Sequence, residues 1–97
     1  MTQKQVSVEH NQARSRFEAT VDGRLAEAGY QLRPGQIVFT HTSVPKELEG
    51  RGIAGEIVRA GLDYARGEKL GVVAECSYVS RFIERHPEYQ DLLSKTS

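Results

Sequence analysis

A single cysteine, a charge balance of zero and no long apolar run are the first things this 97-residue sequence offers. Cys76 has no partner for an intrachain disulfide, which fits a reducing compartment and leaves one thiol to explain. Thirteen Lys and Arg cancel thirteen Asp and Glu. A neutral chain without a basic block is a poor match for phosphate backbones, whose affinity comes from Lys and Arg displacing counterions, so no nucleic-acid partner is expected. No apolar stretch approaches the roughly 20 residues of a membrane span, and Met1-Thr2-Gln3-Lys4 leads into no signal-peptide core. No internal repeat, linker or metal site is expected. With no room for a second core, residues 1–97 read as one cytoplasmic domain of ordinary globular composition, 38% hydrophobic and 27% charged.

What is present changes period halfway along. Phe17, Ala19 and Val21 interleave with Arg16, Glu18 and Thr20, and Ala26, Ala28, Tyr30 and Leu32 alternate again after Asp22-Gly23. An Asp-Gly pair between alternating runs predicts a hairpin, because both turn positions need positive φ. Arg33-Pro34-Gly35 predicts a second turn into a strand over 37–44, and Val6-Ser7-Val8 predicts a short edge strand. Beyond it, Ile53, Ala54, Ile57, Val58, Gly61, Leu62 and Ala65 recur at three- and four-residue spacing, which predicts an amphipathic helix over 52–67. Gly61 inside that helix implies close backbone packing. A buried strand over 72–76 follows, then a helix capped by Ser77 and ended near His86 and Pro87.

The expected fold is therefore α+β, a mixed sheet with an antiparallel N-terminal meander and one parallel β-α-β pair, flanked by helices. In such a unit the carboxyl ends of both strands and the helix N-terminus meet at one edge. Thr42, Ser43 and Val44, the segment Gly50-Arg51-Gly52-Ile53-Ala54-Gly55, and Cys76 all fall there. Unpaired N–H groups and the positive end of the helix dipole make that edge suited to an anion. The glycines match G-x-G-x-x-G, with Glu75 about 20 residues on. A dinucleotide fold is nevertheless disfavoured. Pro45–Glu49 separates strand from glycines, and the chain is too short for the further β-α units. No Gly-Lys-Ser/Thr follows, which excludes a P-loop.

Glu49-Gly50-Arg51-Gly52-Ile53-Ala54 resembles the pyrophosphate loop of the GCN5-related N-acetyltransferases, with Glu49 where that pattern has Arg or Gln. Phe39–Pro45, Gly50–Ala54, Cys76–Val79 and Arg85–Tyr89, in that order, resemble a compact subfamily of about a hundred residues. The resemblance implies a truncated form of that acyl-CoA N-acyltransferase fold and transfer of an acetyl group from acetyl-CoA to an amine. It also implies a diphosphate held by residues 51–55 and a pantetheine arm beside Thr42, Ser43 and Val44. Cys76 is expected to relay the acetyl group or to protonate the leaving sulfur. His41, taken as in phase with Ile37 and Phe39, is expected as a base, with Glu75 as an alternative and Tyr78 as an acid. Arg51 is expected to reach a phosphate. The competing expectation is an acyl-CoA-binding or protein-interaction module with vestigial catalysis, favoured by Glu49 and by missing acceptor walls.

Overall fold

The computed structural model describes residues 6–93, so Met1–Lys4 lie outside the described residues. Five strands form one sheet in the order β1 (Glu9–Asn11), β2 (Arg16–Val21), β3 (Arg24–Arg33), β4 (Gln36–Ser43) and β5 (Gly71–Ala74). Neighbours up to β4 are antiparallel, and β4 and β5 are parallel. Helix α1 (Ile53–Gly67) connects that last pair, and α2 (Ser77–Arg85) follows β5. The β2–β3 turn has positive φ at both Asp22 and Gly23, as Asp-Gly predicts.

One face of the sheet packs on α1. Phe17, Ala19, Ala26, Ala28, Tyr30, Ile37 and Phe39 join Ile57, Val58, Leu62 and Ala65 in a single core. Gly61 is there because nothing larger fits. A Cβ on it would lie 2.9 Å from two atoms of the buried Phe39 ring and 3.3 Å from Phe17. Helix α2 and the 3-10 segment Pro87–Leu92 add Val79, Phe82, Ile83, Tyr89 and Leu92 to the same core. Along the connection from β4 to α1, Leu48, which stands between Glu47 and Glu49 in the chain, is buried in the same core. Its burial contributes roughly 1.5–3 kcal/mol, enough to hold that segment down.

The expected edge strand at Val6–Val8 is displaced. Pairing begins at Glu9, and His10 stacks on Phe17 with ring centroids 4.1 Å apart. Val6 and Val8 pack against the core from outside the sheet. A second departure matters more. Gly29 pairs with His41 but Tyr30 pairs with Phe39, so Thr40 is an extra residue in β4. One inserted residue reverses the alternation beyond it. His41 is thus out of phase with Phe39, against the expectation, and Thr42 takes the core-facing position opposite Ala28.

The strand expected over 72–76 stops at Ala74, because the N–H groups of Glu75 and Cys76 both donate to the carbonyl of Phe39. From that shared carbonyl onward β4 runs on beside β3 alone, while the chain after β5 turns into α2. The two parallel strands divide there, leaving one backbone edge of β4 from Thr40 to Ser43 without a strand partner.

Candidate active site

The fork between β4 and β5 opens into a cavity of about 670 Å³. Its walls include Thr42 and Ser43 from β4, Val44 just beyond it, Gly50 and Gly52 from the glycine loop, Ile53 and Ala54 from the start of α1, and Tyr78 from α2. Eight residues named from sequence thus come together in one concavity. Leu48 and Glu49 complete it. Neither was singled out as a wall residue, and the one available signal was an apolar residue alone between two glutamates.

Gly50 and Gly52 adopt φ of 82° and 76°, and open space lies where a Cβ would be. Any other residue would be strained there. Gly52 caps α1 with its backbone alone, and no side chain satisfies the first N–H groups of the helix. The first helical hydrogen bond is donated by the N–H of Glu56 to the carbonyl of Gly52. The amides ahead of it are therefore available to an anion, and the helix dipole adds to them. Gly55 does not line the cavity; a Cβ on it would lie 3.5 Å from Phe82 and 3.6 Å from the Tyr78 hydroxyl.

Cys76 occupies the cap position of α2, so Ser77 is the first helical residue rather than the cap. The sulfur lies 3.3 Å from the hydroxyl of Thr42 and is partly exposed. Burial alone pushes the thiol up. Burial is the largest single influence, but the Thr42 hydroxyl and the backbone N–H groups of Val79, Tyr78 and Thr42 together outweigh it, and the net shift is below the ordinary thiol value. The α2 amides favour the charged sulfur without closing a capping hydrogen bond. Tyr78 moves the other way. Burial raises its phenol, against a lowering influence from Arg85, so it keeps its proton.

Two expected residues sit elsewhere. Arg51 points away from the cavity and pairs with Asp22 of the β2–β3 turn at 3.0 Å. The imidazole of His41 lies over Gly29 on the sheet face turned away from α1, with Nε2 3.8 Å from Glu27. Arg16 bridges Glu18 and Glu27 on that face. Glu75 is exposed beside Cys76, and His86 ends α2 by donating from Nδ1 to the carbonyl of Phe82. Among the described residues no cluster of three His, Cys, Asp or Glu is placed to hold a metal, and no helix is long and apolar enough to cross a membrane.

The chain is similar to known proteins in sequence and in fold. The family described as GCN5-related N-acetyl-transferase matches residues 16–92. Protein NATD1 of Bos taurus is 33% identical over 85 residues, covering 84% of this chain and 75% of its own length. The human protein NATD1 is 32% identical over the same share of each chain. A solution structure of a GCN5-like protein from Staphylococcus aureus superposes with a TM-score of 0.73 at 26% identity, covering 94% of this chain and 90% of that one. With the divided strands, the glycine cradle and the thiol at the fork, these matches establish that the chain belongs to the GCN5-related N-acetyltransferase family.

Proposed function

We propose that the protein transfers an acetyl group from acetyl-CoA to an amine, through Cys76. The observation that carries this reading is that one cavity runs from the bare amides of the glycine loop to Thr42, whose hydroxyl touches a thiol of lowered pKa. The cradle fits the donor. A diphosphate needs free N–H groups and room for close approach; the first amides of α1 meet the one need and Gly50 and Gly52, each with open space where a Cβ would lie, meet the other. Beyond the fork, Thr42, Ser43 and Val44 have no strand partner on this side among the described residues and offer backbone groups to the amides of a pantetheine arm.

The chemistry follows from the two opposite pKa shifts. The Cys76 thiolate attacks the thioester carbon, the bond from that carbon to the CoA sulfur breaks, and the departing thiolate takes the proton that Tyr78 has kept. A neutral amine then attacks the acetyl-cysteine. Its nitrogen gives up a proton, and the Cys76 sulfur leaves as the thiolate that its surroundings favour. His41 would take that proton from an acceptor entering by the face turned away from α1 and release it to solvent, from which the Tyr78 phenolate regains the proton it gave to CoA. A free, partly ionised thiol of this kind persists in a reducing compartment, which suits a cytoplasmic setting.

Intact-mass measurement after mixing with acetyl-CoA tests the reading. One acetyl adduct and release of CoA thiol are expected, both lost in Cys76→Ala. One observation favours the module reading, namely that Glu49 puts a carboxylate in the wall where an anion would bind. Tight CoA binding with neither thiol release nor an adduct, with or without a panel of amines, would select it.

A further inference from the structure

The turn between β2 and β3 is joined to the glycine loop by two ion pairs of opposite polarity. Asp22, just before Gly23, holds Arg51 at 3.0 Å, and Arg24, just after it, meets Glu47 at 3.5 Å. Acid then base on the turn faces acid then base on the loop in crossed order. Sliding either segment would bring like charges together, so the pattern specifies one alignment. Arg51 is also the single residue between Gly50 and Gly52, both left-handed and both with open space where a Cβ would lie. Glycine loses more conformational freedom on ordering than any other residue. A loop that must aim its amides in one direction therefore gains from a tether on the one side chain between those glycines.

We infer that Asp22 and Arg24 are positioning residues: through Arg51 and Glu47 they hold the glycine loop in the conformation that presents its N–H groups. This rests on the use of the loop for a diphosphate proposed above. Arg51 then acts on the loop backbone through Asp22, not as a phosphate ligand. All four side chains are exposed, so each pair is weak alone and screened by salt.

The test combines backbone 15N relaxation on the free protein with a CoA titration. Asn suits the same turn, so Asp22→Asn removes charge without disturbing the hairpin. In Asp22→Asn and in Arg24→Glu, order parameters at Gly50, Arg51 and Gly52 should fall from about 0.85 towards the flexible range below about 0.6. CoA affinity should fall about two- to fivefold per pair, with the alkylation rate of Cys76 unchanged. Adding Glu47→Arg to Arg24→Glu restores the crossed charges and should recover both. Unchanged order parameters, tighter CoA binding in Asp22→Asn, or no recovery in the charge swap would overturn the inference. A wild-type protein that binds no CoA rejects the proposed function instead, while the relaxation arm still decides the tether.

Discussion

The hydroxyl of Thr42 lies 3.3 Å from the sulfur of Cys76, joining β4 to the cap of α2 across the point where the parallel strands divide. Thr42→Val removes that hydroxyl with little change of shape. The pH midpoint for alkylation of Cys76 by a thiol reagent should move up, because the remaining backbone amides oppose burial alone. In the wild type the folded thiol titrates below its ordinary value, so the unfolded chain binds more protons between the two. Stability should rise with pH through the folded midpoint and level off above the ordinary thiol value. Denaturant titrations across that window read it, and the rise should shrink in Thr42→Val.

Glu49 places a carboxylate in the cavity wall beside the amides expected to hold a diphosphate. Glu49→Gln should tighten CoA binding by about two- to tenfold at low ionic strength, and the gain should fade as salt is added. Isothermal titration at two salt concentrations reads both. An unchanged affinity would move the diphosphate away from this wall.

The φ of 76° at Gly52 gives a prediction that does not depend on any ligand. Gly52→Ala should cost about 1–2 kcal/mol of stability from backbone strain alone, since the new methyl meets nothing within 4 Å. Gly61→Ala should cost about 1–3 kcal/mol by a different route, because its methyl would meet the fully buried Phe39 ring at 2.9 Å. Thermal melts of the two variants separate strain from overpacking when Phe39→Leu is added. That change should relieve Gly61→Ala and leave Gly52→Ala untouched.

His10 secures the first strand. Its Nε2 lies 2.6 Å from the Tyr30 hydroxyl, and its ring stacks on Phe17 and meets Tyr64 edge-on at 4.5 Å. Burial lowers the imidazole below its ordinary 6.5. The unfolded chain then takes up the proton first, so stability is full above pH 6.5 and is lost as pH falls through the folded value. The acid-side loss should be smaller in His10→Phe, measured by denaturant midpoints.

The parts of this architecture legible in the sequence were those written in residue spacing. The hairpin followed from Asp22-Gly23, α1 from the recurrence between Ile53 and Ala65, and the close approach at Gly61 from a glycine on an apolar stripe. The gathering of Thr42–Val44, the glycine segment and Cys76 at one edge followed from the parallel connection. The inserted residue at Thr40 was hidden, because Phe39-Thr40-His41-Thr42 alternates without a break and a bulge is set by pairing with Gly29. That single hidden feature sent His41 to the other face. The early end of β5 was hidden as well, since two successive amides sharing the Phe39 carbonyl leave no trace in composition. The pairing of Arg51 with Asp22 was hidden too, because the two lie 29 positions apart along the chain.

Phe39 has two duties, one carried by its side chain and one by its main chain. Its ring fills the hollow beneath Gly61, and its carbonyl receives both amides that begin the turn towards Cys76. Interior packing and placement of the sulfur are thus soldered at one position. Any residue at that position keeps the carbonyl, but repacking that shifts the backbone there moves the sulfur with it, so variants that survive heating after changes around it should be screened first for a thiol that has drifted out of range.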